Sequence, residues 1–186
     1  MATGKTLIAV LVLTASVPAF GAVTVLGSSS ARLCFEAADS PMHPSARDMR
    51  FCDEALAEGV LSQHDTVATF VNRGILKLRR DQVDTAIADF DEAIALDPRQ
   101  PEAYLNKGSA LIRLNNPGEA VRLFTVALEY HTRRPEIAHY GRAIAHETMG
   151  NVRAAYNDYR RASELDPDWD DPQTELRRFR VVSSPR

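Results

Sequence analysis

From Gly74 to Pro98 the chain reads GILKLRRDQVDTAIADFDEAIALDP, and from Gly108 to Thr132 it reads GSALIRLNNPGEAVRLFTVALEYHT. Gly74, Ala86, Phe90, Ala93 and Pro98 align with Gly108, Ala120, Phe124, Ala127 and Thr132, every offset being 34 residues. A third copy carries Ala143, Ala155, Tyr159, Ala162 and Pro167, offset by 35 from the second. A fixed period in this range marks a chain of stacked structural units. The residue types have a physical reason. Two antiparallel helices approach closely only where a side chain is nearly absent, as at Gly74, Gly108 and Ala143. Phe90, Phe124 and Tyr159 each follow an Ala by four residues, so they share its helical face and fill the wedge between helices. One such hairpin cannot bury its apolar stripe alone, and stacked neighbours bury it for one another.

This spacing of small, aromatic, small and Pro positions resembles the tetratricopeptide repeat, a helix–turn–helix unit, over a little more than half the chain. The resemblance implies an all-α, right-handed superhelical solenoid that binds protein or peptide partners without catalysis. The expected units are 67–100, 101–134 and 136–169, followed by a capping helix at 170–182 and a tail at 183–186. In the capping segment Leu176, Phe179 and Val182 form one stripe, and Glu175, Arg177 and Arg178 another. Trp169 is expected to pack that helix onto the third repeat. Pro98 and Pro167 end second helices, Pro101 and Pro135 open first helices, and Asn116-Pro117-Gly118-Glu119 supplies a cap, a first-turn Pro and an acid.

Residues 1–22 have the form of a secretory signal peptide. Lys5 is followed by an apolar run from Leu7 to Val17, Pro18 breaks it, and Ala19-Phe20-Gly21 suits cleavage after Gly21. The competing reading is an uncleaved anchor, because Leu7 to Leu26 is uncharged and just long enough to span a bilayer. Residues 23–30 then form a linker. The exported reading predicts a periplasmic or secreted protein of bacterial type, a source also suggested by only three Lys (Lys5, Lys77, Lys107) among 22 basic residues. The anchored reading predicts a structural subunit of an envelope complex, touching the membrane through its uncleaved N-terminus.

Export places Cys34 and Cys52 where disulfides persist. With Gly74 as position 8 of its unit and Phe90 as position 24, counting back past an insertion at 63–66 gives a degenerate hairpin within 31–66. Cys34 falls at position 6 and Cys52 at position 24, which face each other across a hairpin. Glu36 and Asp48 stand where small residues belong, so a bridge would compensate for a poor core. The alternative is two buried thiols. Two Cys without a nearby His pair make no metal site.

The net charge of −3 argues against nucleic acid as a partner. No Ser–His–Asp grouping, phosphate loop or Cys–His pair is brought together, so neither an enzyme nor a cofactor is expected. In a stack of hairpins the first helices line the concave side, where position 6 gives Asn72, Asn106 and then Gly141. The strings around Asn72 and Asn106 resemble the asparagine ladder in the repeat domain of O-GlcNAc transferase. That resemblance implies amides holding an extended peptide backbone, since an Asn amide both donates and accepts. An extended chain advances about 3.3 Å per residue, so adjacent rungs should meet it about three residues apart. The alternative is Asn bonded to a neighbouring helix.

Position 7 gives Arg73, Lys107 and Arg142, and position 13 gives Arg79 and Arg113. This column predicts a groove that prefers an acidic segment or a terminal carboxylate. The alternative is long basic stems covering apolar helix surface. The carboxylate clamp of chaperone-tail repeats wants Lys and Asn at positions 5 and 9, where this chain has Val71 and Ile75. His139 and His146 lie seven residues apart, about 10 Å along a helix, too far for one metal ion and better suited to packing.

Overall fold

The computed structural model describes residues 21–26 and 29–179. The signal-peptide residues before Gly21 and the tail lie outside these, as does Val182. Among the described residues every regular element is an α-helix: α1 Ser29–Asp39, α2 Ala46–Ala57, α3 Gln63–Arg79, α4 Val83–Leu96, α5 Pro101–Arg113, α6 Pro117–Glu129, α7 Pro135–Thr148, α8 Val152–Leu165 and α9 Asp170–Leu176. Each helix packs on the next, and α1 with α3, α3 with α5, and α5 with α7 also touch. That is the contact pattern of hairpins stacked in chain order. The apolar period locates the core, with Ala86, Phe90, Ala120, Phe124, Ala155 and Tyr159 essentially excluded from solvent.

The hairpin turns repeat as closely as the helices. Asp81, Asn115 and Gly150 occupy one turn position, with φ of 57°, 54° and 76°. Asp, Asn and Gly are the residues that tolerate this left-handed backbone at least cost. The extra residue between the second and third copies falls in the α6–α7 connection. There His131 takes φ 59°, so the slip stays out of the helices. Pro101, Pro117 and Pro135 occupy first-turn positions. Asn116 stands at the N-cap of α6, although its side chain makes no capping bond.

Two boundaries differ from the sequence reading. Residues 63–66 are no insertion but the first turn of α3, because the Ser62 hydroxyl accepts the Asp65 N–H at 3.1 Å and starts the helix there. The 23–30 stretch is not a linker either, since α1 begins at Ser29 and residues 21–26 pack against the repeats. The first hairpin, α1–α2, covers α3, and Cys34 and Cys52 are bonded across it with Cα atoms 4.9 Å apart. At the other end Trp169 stacks on Tyr140 with ring centroids 4.7 Å apart, and Leu176 and Phe179 seal the third unit.

Candidate functional site

The site is the groove beside α3 and α5, and it is occupied by the chain's own residues 21–26. Asn72 is fully buried on α3. Its Oδ1 accepts the Val23 N–H at 2.9 Å and its Nδ2 donates to the Val23 carbonyl at 2.8 Å. One amide thus satisfies both backbone groups of one residue, which no single-function side chain can do. Asp65 lies seven residues earlier on the same face and accepts the Leu26 N–H at 2.9 Å. Burial raises the Asp65 pKa, but the Leu26 N–H, the Ser62 hydroxyl and His64 together outweigh it and hold the carboxyl below its ordinary value.

On α5 the Asn106 Nδ2 donates to the Glu102 carbonyl of its own helix at 2.8 Å and reaches the Gly21 carbonyl at 3.4 Å. Asn106 Oδ1 is buried without a partner. Asn72 is therefore a complete rung and Asn106 half of one. The groups they reach are two residues apart rather than three, at about 6.6 Å of extended chain. Gly21 is held tightly, because a Cβ there would stand 2.9 Å from Glu102 Cγ. Glu102 is itself buried and accepts the Arg133 N–H at 3.0 Å, tying the start of α5 to the α6–α7 connection.

Exposure alternates along the segment. Gly21, Val23 and Val25 are buried, whereas Thr24 and Leu26 are exposed. This is the period of two expected of an extended strand with one face against a wall. Val23 and Val25 join the apolar cluster that contains Val67, Val71 and Ile75.

The cations expected beside the Asn pair are all engaged within the chain. Arg73 forks onto the Asp89 carboxylate at 3.0 and 2.7 Å and reaches Asp53 on α2 at 2.8 Å, while Lys77 adds a third contact to Asp89 at 2.7 Å. Arg142 forks onto Asp158 at 2.8 Å through two nitrogens, with His139 on the same carboxylate at 2.8 Å. Burial works against ionised Asp158, but His139 and Arg142 hold its pKa down. Lys107 pairs with Asp91 at 2.5 Å. Arg79 donates to the Ser40 carbonyl at 2.6 Å and also to Met42, closing the α1–α2 turn onto α3. Arg113 donates to the Leu78 carbonyl at 2.7 Å and to Asp81 at 3.0 Å.

Position 7 therefore points across its hairpin at position 23 of the second helix, where the first and third units have Asp89 and Asp158. The second unit has Leu123 there, and its position-7 residue is Lys rather than Arg. That correlated change was a signal in the sequence. The acids Asp65 and Glu102 stand against the segment in the groove. Gly141, the third position-6 residue, is a packing residue, since a Cβ there would lie 2.4 Å from Phe124 Cζ. His146 is partly buried with Nδ1 unpartnered, and burial pushes its pKa down. Among the described residues no cluster of three His, Cys, Asp or Glu could hold a metal ion, and no helix is long and apolar enough to cross a membrane.

A stack of two-helix units whose first helices cradle an extended strand is a helical-repeat interaction scaffold. The chain belongs to the tetratricopeptide repeat family, whose signatures match residues 71–136 and 137–168. No curated protein matches the sequence. Among solved structures it is similar to the first TPR of Spaghetti (RPAP3) bound to the HSP90 peptide SRMEEVD. That pair is 25% identical, covers 60% of this chain and 88% of the other, and has a TM-score of 0.57. The first TPR domain of human RPAP3 gives 25% identity, 62% and 90% coverage, and a TM-score of 0.58. MamA from Desulfovibrio magneticus RS-1 shares the fold at 16% identity, covering 80% of this chain and 82% of the other, with a TM-score of 0.62.

Proposed function

We propose that this protein is a non-enzymatic interaction module that holds an extended segment of a protein partner against α3 and α5, outside the cytoplasm. The observation that carries this is the paired contact of Asn72 with the N–H and carbonyl of Val23. It supports a groove that holds extended backbone through that residue's own N–H and carbonyl. The similar first TPR of Spaghetti, bound to a peptide, supports the same class of ligand. Asn72 and Asn106 are the contact residues of the proposal. Arg73, Lys107 and Arg142 contribute by fixing the hairpins that present them, and Arg79 and Arg113 by fixing the turns. Two rungs give only a few kcal/mol before ordering costs, so binding through them is reversible, and micromolar affinity, about 8 kcal/mol, requires buried apolar contacts as well. The bonded Cys34–Cys52 pair supports an oxidising compartment, as an exported chain would meet.

The test is a crosslinking pull-down from that compartment, followed by affinity measurement with Asn72→Ala combined with Asn106→Ala. Loss of about tenfold or more is expected. Unchanged affinity in a folded double variant refutes the groove. N-terminal sequencing of the mature protein decides export: loss of residues 1–21 or 1–22 is expected, and Met1 or Ala2 at the N-terminus supports the anchored envelope subunit instead.

A further inference from the structure

Residues 21–26 do more than fill space, because the groove meets the segment with both polar and apolar contacts, Asn106 Oδ1 alone of the amide atoms being left without a partner. Asn72 takes the backbone of Val23, Asp65 takes the N–H of Leu26, and Asn106 reaches the carbonyl of Gly21. The buried positions come at every second residue, Gly21, Val23 and Val25, while Thr24 and Leu26 are exposed and Ala22 is half-buried. The first of these sites has no room for a Cβ unless Glu102 shifts. The next two are lined by the cluster of Val67, Val71 and Ile75. Among the described residues no Lys or Arg hydrogen-bonds the segment, and the carboxylates of Asp65 and Glu102 stand against it.

From this match we infer that the groove selects an extended, uncharged partner segment of the pattern β-branched, any residue, β-branched, and that residues 23–26, which stay on the chain after cleavage at either position, are the chain's own competitor for it. The inference rests on the proposed function, since it names the ligand class and the regulation of the same groove. A partner strand enters only as the resident strand leaves, because Asn72 is fully buried beneath it. Acidic segments are excluded by the two carboxylates. Val71 and Ile75, fully buried, offer nothing to a terminal carboxylate.

The experiment uses the chain purified with its native N-terminus and a fluorescent acetyl-Gly-Ala-Val-Thr-Val-Leu peptide. Val23→Pro removes the N–H that Asn72 accepts and weakens the resident strand. Val23→Ser keeps the backbone and removes the apolar contact, and serves as the second opening variant. Both should unfold cooperatively with the native urea slope and a midpoint lowered by no more than the lost strand contact, because the helices are untouched.

The peptide should bind either opened chain about tenfold tighter than the native chain, a factor set by one lost backbone bond or one lost buried Val. Adding Asn72→Ala to the opened chain should weaken it about tenfold again. A peptide with Ser in place of both Val should bind the opened chain at least tenfold more weakly. If the Val and Ser peptides bind the opened chain equally, the selectivity is overturned while the groove stands. If the Val peptide binds native and opened chains equally, the competition is overturned. If neither peptide binds an opened chain, the groove reading beneath both fails.

Discussion

Replacing Gly141 by alanine tests how the third hairpin is fitted to the second. The Phe124 ring lies between two glycines. A Cβ on Gly141 would stand 2.4 Å from its Cζ, and one on Gly108 would stand 3.0 Å from its Cε1. Ordinary contact is 3.4–4 Å, so the ring would have to retreat about 1 Å from Gly141 but only a few tenths from Gly108. Phe124 is fully buried, and moving away from one glycine drives it toward the other. Overpacking of this kind costs about 1–3 kcal/mol, while Gly→Ala within a helix returns about 1 kcal/mol of propensity. The net expectation is a loss of about 0–2 kcal/mol for Gly141→Ala, and about zero or a slight gain for Gly108→Ala. Urea unfolding of the oxidised protein measures both, with an unchanged slope showing that only stability has moved. Phe124→Leu in the Gly141→Ala background should recover part of the loss through a favourable coupling. If Gly141→Ala is as stable as the native chain while Gly108→Ala is not, the account of the ring is wrong.

Three further outcomes follow from geometry. Cys34→Ala with Cys52→Ala should cost about 3 kcal/mol, the loop-closure value for a separation of 18 residues, and denatured unreduced native protein should titrate no free thiol. Asp158→Asn leaves Arg142 and His139 facing a neutral group in a largely buried site, so stability should fall by about 2–3 kcal/mol in the same assay. Asp65 has a folded pKa below its ordinary 3.8, so its contribution is present above that value and lost as pH falls through the lower folded value. The Leu26 N–H should therefore stay protected from exchange at neutral pH and lose protection only as pH falls through that lowered folded value, and protection persisting in Asp65→Asn would contradict the role given to Asp65.

The repeat was legible because its causes are local. Gly74 faces Phe90 and Gly108 faces Phe124 at fixed spacing, and nothing distant alters that. The cysteine pair was legible for the same reason, since both residues belong to one hairpin. The start of α3 was missed although Ser62 and Asp65 had the spacing of a cap, because Val67 was used to set the phase. The basic column was misjudged at the level of direction: sequence places Arg73 and Arg142 on a helix, but Asp89 and Asp158 on the facing helix decide where they point. The occupied groove was the hardest to see. Gly21, Val23 and Val25 alternate with Ala22, Thr24 and Leu26, but six residues beside a long apolar run blend into it. Their partner Asn72 is 49 residues away, a pairing that no local pattern encodes.

The strand in the groove is joined in sequence to α1 by residues 27 and 28, and this sets the terms for anything arriving from solution. A tethered occupant acts at an effective concentration in the millimolar range, whatever the amount of protein. A free segment of equal intrinsic affinity reaches half-occupancy only at that concentration, so a dilute ligand leaves the groove closed. To open it at micromolar levels, a ligand must either bind several hundredfold better than the resident strand or be concentrated locally by a second attachment. The tether therefore turns a weak binding site into a threshold, indifferent to stray extended peptides and responsive to a partner already held beside it.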